Sequence, residues 1–160
     1  MAFENRTLVL ILALAVAFLS GYTLSMIISP VTSDTTPRTI FTKNAPEPIG
    51  PYSQAVRSGN FVFVSGQVGI DPATGNITAS VEGQTVRAME NLQAILRESG
   101  LSYSDVVDTR IYLVDMQDFT TVNRIYAGYF NDTYPARATL QVAGLPKGAA
   151  VEIEAVARAR

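Results

Sequence analysis

The chain has 160 residues, room for one ordinary domain, a formal net charge of −2, and neither cysteine nor histidine. Those absences exclude thiol nucleophiles, disulfides, Cys/His zinc sites and Ser-His-Asp triads. No dense Asp/Glu cluster has metal-ligand spacing, and the arginines are dispersed rather than gathered into the basic patch that phosphate binding needs, so neither a metal nor a nucleic acid is expected as a partner.

The amino-terminal segment differs in kind from the remainder. After a tail over 1–6, residues 7–29 are mostly Leu, Val, Ile, Ala, Met and Phe, and no charge occurs from Thr7 to Ser33. A helix of that length would rise about 35 Å, against a hydrocarbon core of about 30 Å. It reads as a single hydrophobic helix anchoring the chain in a bilayer. A cleaved secretory signal, with Arg6 ahead of an apolar Leu8–Leu19, and a buried helix are the alternatives. Few basic residues flank the segment, and the short amino-terminal tail favours a domain facing outward. The sequons Asn76-Ile77-Thr78 and Asn131-Asp132-Thr133 fit that orientation, although motifs so short also arise by chance. Residues 30–37 read as a polar tether to a domain over 38–160.

In the domain, Arg38–Thr42 reads as a short strand. Ala55–Ser58 and Phe61–Ser65 flank Gly59-Asn60 and predict a hairpin. After a turn at Asp71–Gly75, Val81, Val86, Met89, Leu92 and Leu96 recur at helical spacing and predict a helix over Val81–Ser99, stopped by Gly100. Val106–Val114 reads as a strand. Phe119–Phe130 reads as a second helix, with Phe119, Val122, Ile125, Tyr126 and Tyr129 on one stripe.

The last twenty-six residues carry two more alternating segments. In Val151-Glu152-Ile153-Glu154-Ala155 the odd positions are apolar and the even ones acidic. Arg137, Thr139 and Gln141 share a face opposite Ala138, Leu140 and Val142. A hairpin closed through Leu145-Pro146-Lys147-Gly148 would set the arginine and the carboxylates on one surface. Taken alone, that juxtaposition is an ordinary cross-strand ion pair of Arg137 with Glu152 or Glu154. The total is six strands and two helices, an α+β fold with both helices on one face of the sheet. Because Phe61–Val64 and Ile111–Val114 are apolar on both faces, the uncovered face calls for burial in a symmetric homo-oligomer.

The stretch PARATLQVAGLPKG, followed by VEIEAVA, resembles the YjgF/RidA family of small deaminases, and the similarity runs with small gaps from about Lys43 to Arg158. The resemblance implies a chorismate-mutase-like fold with a six-stranded mixed sheet, assembled as a homotrimer with sites in the clefts between subunits. It implies hydrolysis of 2-enamino and 2-imino acids, such as 2-aminoacrylate and 2-iminobutanoate, to 2-oxo acids and ammonia, without a cofactor. Arg137 would hold the substrate carboxylate and Glu152 would place the attacking water. Tyr52, Ser65 and Asn123 would line the pocket, and backbone amides near Gly66 and Thr139 would complete it. Many relatives have cysteine where Thr139 stands, so an essential thiol is ruled out there. Without the resemblance, Tyr52 reads as a packed aromatic, Asn123 as a helix-surface amide and Ser65-Gly66 as a strand-end turn. A non-catalytic carboxylate-binding or chaperone-like module of the same fold is the alternative function. The anchor departs from the family's usual soluble pattern.

Overall fold

The computed structural model describes residues 36–131 and 133–159. The proposed anchor over 7–29 and most of the tether lie outside them. Among the described residues, no helix is long and apolar enough to cross a membrane.

Six strands form one mixed sheet: β1 (Arg38–Ile40), β2 (Ala55–Ser58), β3 (Phe61–Val68), β4 (Val106–Leu113), β5 (Ala136–Gln141) and β6 (Val151–Arg158), in the order β1-β2-β3-β6-β4-β5. Only β4 and β5 run parallel. A parallel pair needs a crossover, and helix α2 (Phe119–Ala127) supplies it. The other helix, α1 (Val81–Glu98), connects β3 towards β4 and packs with α2 on the same side of the sheet.

The hairpin at Gly59-Asn60 forms as expected, with Ser58 opposite Phe61 and Gly59 at φ 56°, where glycine carries no Cβ penalty. Helix α1 is capped by the Ser80 hydroxyl, which accepts from the Gly83 amide at 3.2 Å. Its inner stripe is Thr85, Ala88, Met89, Leu92, Ile95 and Leu96. Val86 faces solvent instead, because the fully buried Thr85 occupies that turn of the stripe. Helix α2 ends at Ala127, three residues before Phe130. Val122 and Tyr126 form its buried side, and Phe119 packs against the core's edge.

The expected hairpin between the last two strands is not formed. β6 lies between β3 and β4, and β5 pairs only with β4. Burial explains the order. Val151, Ile153, Ala155 and Ala157 are all buried, which suits a central strand, whereas five of the six β5 residues are exposed, as on an edge. The connection between them turns through Lys147 at φ 59° and Gly148 at φ 70°.

The core lies between the helices and the inner positions Val62, Val64, Ile111, Leu113, Val151, Ile153 and Ala155. On the other face Phe61, Phe63 and Leu140 are 42, 50 and 46% exposed, flanking the polar group Arg110, Tyr112 and Glu154. The apolar content expected on that second face is therefore present on either side of that polar group, on β3 and on the edge strand β5.

Candidate active site

A bulge in β3 is the feature from which one cluster is built. Val64 pairs with Ala155 and Gln67 with Ile153, so β3 carries one extra residue between those rungs. The extra residue shifts the alternation. Gln67 takes the inward place opposite Ile153, and Ser65-Gly66 bends out beneath Glu152. A Cβ at Gly66 would stand 2.6 Å from Glu152 Cδ and collide with its Oε1, so only glycine lets the carboxylate rest there. Ser65 ties the bulge to the neighbouring loop: its amide donates to Gln54 O at 3.0 Å and its hydroxyl to Ser53 O at 2.7 Å. In that loop the Tyr52 hydroxyl accepts from the Ile49 amide at 3.2 Å, leaving its own proton to donate elsewhere.

Tyr52, Ser65, Gly66 and Glu152 thus line one open-sided cavity of about 250 Å³, together with Glu47 and Gln67. Its size suits a small acid and a few waters. Burial, and secondarily the nearby Glu154 charge, raises the Glu152 carboxyl above its ordinary value. A carboxylate so perturbed beside a cavity is a candidate for exchanging protons with a bound molecule.

Asn123 and Arg137 fall in a second cluster. Arg137 pairs in register with Thr109 on β4, which puts it on the helix side of the sheet. Its guanidinium lies 5.1 Å from the ring centre of Tyr126 and 6.0 Å from that of Phe119. Thr109 and Tyr126 hydroxyls bond at 2.8 Å, fixing that ring. Asn123, Tyr126, Tyr134, Pro135 and Arg137 line a hollow here. Among the described residues Arg137 has no carboxylate partner. Thr139 follows on the same side of β5 opposite Ile111. Its Oγ1 is buried with no hydrogen-bond partner among the described residues, and it lines neither hollow.

One chain therefore does not bring Arg137 and Glu152 together. Glu152 pairs with Tyr112, three residues along β4 from the Arg137–Thr109 rung, an odd number of steps that puts it on the opposite face. The single surface expected from a hairpin is replaced by two half-sites, because β4 separates the two strands. Glu154 is no partner of Arg137 either: it accepts from Arg110 at 2.7 Å and from the Tyr112 hydroxyl at 3.2 Å.

The sequence model of the family described as Endoribonuclease L-PSP matches residues 42–159. The chain belongs to this family, that of YjgF and RidA. A RutC family protein of Pyrococcus horikoshii is 50% identical over 119 residues, 74% of this chain and 94% of the relative. The human 2-iminobutanoate/2-iminopropanoate deaminase is 47% identical over 121 residues, 75% of this chain and 88% of the relative. The crystal structure of E. coli TdcF with bound serine matches with a TM-score of 0.75 at 42% identity, covering 77% of this chain and 99% of TdcF.

Within this YjgF/RidA domain, sequence reasoning missed Gln54 and Gln67. Gln54 is fully buried. Its Oε1 accepts from the Thr42 amide at 2.7 Å, and its Nε2 donates to Thr42 O, Ala45 O and Pro46 O at 3.0, 3.2 and 2.8 Å. Gln54 precedes the inward-facing Ala55, so strand alternation gives no signal for its burial. Gln67 turns inward only through the bulge, which a Ser-Gly step inside an apolar strand can suggest.

Proposed function

We propose that this protein hydrolyses 2-imino and 2-enamino acids to 2-oxo acids and ammonia, in sites that two subunits of a homotrimer complete together. The observation that carries this reading is the half-buried Glu152 carboxylate, held over Gly66 in a small cavity that, among the described residues, no cation lines. Arg137, stacked on Tyr126 and without a carboxylate partner among the described residues, is the complementary half. The exposed Phe61, Phe63 and Leu140 on the open face supply apolar surface for a neighbouring copy, whose Arg137 then reaches the Glu152 cavity. The human imine deaminase and the serine bound to TdcF support a small amino-acid-like ligand.

The chemistry asks little of the protein. The substrate's C=N carbon is already electrophilic beside a carboxylate, so orientation and a placed water suffice. An enamine first tautomerises to the imine by proton transfer to carbon. Arg137 grips the carboxylate with two parallel donors, and Asn123, Thr139 and the Gly66 region shape the pocket around it. Glu152 takes a proton from water as the C–O bond forms and the C=N π pair moves to nitrogen. The same carboxyl returns that proton to the nitrogen, then carries the carbinol hydroxyl's proton to the resulting amine as the C–N bond breaks, with Tyr52 available as a second donor. Ammonia leaves, the carbonyl forms, and no oxidant or cofactor is consumed. The net charge of −2 and dispersed arginines favour this small acid over RNA, despite the family model's description.

The membrane anchor over 7–29, with the domain facing outward, belongs to the same proposal and rests on the apolar run in the sequence. The deciding measurement is ammonia or oxo-acid release from an enzymatically generated imine by the full chain, with Arg137→Ala as control. Accelerated release that Arg137→Ala abolishes is expected. Oxo-acid binding without acceleration would replace the enzyme with a carboxylate-binding module.

A further inference from the structure

Among the described residues four side-chain amides are buried, those of Gln54, Gln67, Gln84 and Asn91. Each is spent on backbone groups. Three of them hold residues that line the Glu152 cavity: Gln54 grips Pro46 O, Asn91 grips Val68 O and Ile70 O at 3.2 and 2.9 Å, and Gln67 grips the bulge itself. Neutral amides are suited to this, since they fix a polar wall without adding a charge beside a carboxylate.

Gln67 stands apart in what it holds. Its Nε2 donates to Ser65 O at 2.9 Å and to Gly66 O at 3.2 Å. Successive carbonyls of a regular strand point in opposite directions. One nitrogen reaches both only because the bulge turns them towards each other. Those two peptides flank the Gly66 α-carbon on which the Glu152 side chain rests, with a would-be Cβ 2.9 Å from Glu152 Cγ. We propose that Gln67 is a positioning residue for Glu152: by holding the Ser65 and Gly66 carbonyls together it sets the floor against which that carboxylate lies. The inference rests on Glu152 being the group that places water.

The test uses the full chain and two variants of similar size. Gln67→Met keeps the volume but donates nothing. Gln67→Glu donates only while the new carboxyl is protonated, and repels both carbonyls when ionised. Three quantities are read: steady-state imine hydrolysis, the melting temperature, and the titration of the Glu152 carboxyl by 13C NMR in the resting protein, assigned with Glu152→Gln. The groups facing Glu152, namely Glu154 and Tyr112 on the sheet and Tyr52 and Glu47 in the cavity, are unchanged in both variants. For Gln67→Met, kcat is expected to fall about tenfold with KM changed less than twofold, since Arg137 governs binding. The Glu152 titration should move down towards that of an exposed glutamate. Gln67→Glu should lose more activity as pH rises. If one variant does not fold, the other reads the same point. A Glu152 titration unmoved by either substitution, or a loss shared equally by kcat and KM, makes Gln67 a purely structural residue and overturns the proposal. A wild-type chain without imine hydrolysis whose Glu152 titration still moves in Gln67→Met retains the positioning role and removes the function instead.

Discussion

The Glu152 side chain lies directly on the α-carbon of Gly66, closer than any side chain at position 66 would permit. The obstacle to a larger residue is the far end of a flexible, half-exposed carboxylate rather than backbone. Gly66→Ala is therefore expected to fold with a melting temperature near that of wild type while pushing the carboxylate aside. A displacement of about 1 Å in a catalytic group costs on the order of a hundredfold in rate. Imine hydrolysis beside a thermal melt checks this. A Gly66→Ala that melts like wild type and keeps normal specific activity would mean that Glu152 has no fixed post.

The raised Glu152 carboxyl also gives stability a definite sign with pH. Its folded pKa lies above the unfolded value near 4.5, so the folded state holds the proton more tightly. Whatever stability this contributes is complete below the unfolded value and is lost as pH rises through the folded one. Ionised Glu152 is thus a cost at neutral pH, softened by its partial exposure to solvent. Glu152→Gln should melt slightly higher than wild type at pH 7, by roughly 1–3 °C, and equally with it near pH 4. The same substitution should slow hydrolysis more than it weakens 2-oxo-acid binding. A lower melting temperature at pH 7 would make Glu152 a structural partner.

The Arg137 guanidinium lies over the rings of Tyr126 and Phe119, with its central carbon 5.1 and 6.0 Å from their centres. Lysine at that position keeps the charge and loses both the fork and the stacking. Two charge-assisted bonds at about 1.5–3 kcal/mol each predict at least a hundredfold loss in kcat/KM for Arg137→Ala. Arg137→Lys should recover only part of it, remaining about tenfold or more below wild type. The stacking contributes about 0.5–1 kcal/mol at an exposed site, so both variants should stay folded. Kinetics on 2-iminobutanoate with circular dichroism as control would decide it, and near-normal turnover in Arg137→Ala would remove the anchoring role.

Much of this architecture was legible because it is local. The alternation at Val151–Ala155 continues unbroken to Arg158, and Gly100 follows the end of α1 as its stop. The helix stripe was read one position off at Val86, since a buried Thr85 carries no apolar signal. Strand order was not legible. Adjacency suggested a hairpin of β5 with β6, while the decisive quantity was how completely each strand must be covered, which depends on β3 and β4. Arg137 and Glu152 were both picked out by residue type and family pattern. Their separation onto opposite faces follows from the Thr109 and Tyr112 rungs, and no periodicity within either segment contains it.

That separation makes a cleft between subunits testable without a structure of the assembly. If each site takes Arg137 from one subunit and Glu152 from the next, Arg137→Ala and Glu152→Gln damage different halves of the cleft. Each variant alone is inactive. Denatured together in equal amounts and refolded, they form mixed rings in which a site is intact when its arginine comes from a Glu152→Gln subunit and its glutamate from an Arg137→Ala subunit. Random assembly gives that combination in about one quarter of the clefts. The mixture should therefore recover about a quarter of wild-type activity per site, while the double variant Arg137→Ala/Glu152→Gln mixed with itself recovers none. Phe63→Glu, which charges the exposed open face, should release folded monomers that bind no substrate productively. Mixed variants that stay as inactive as their parents, in rings shown to exchange subunits, would confine the chemistry to one chain, where β4 keeps the two groups apart.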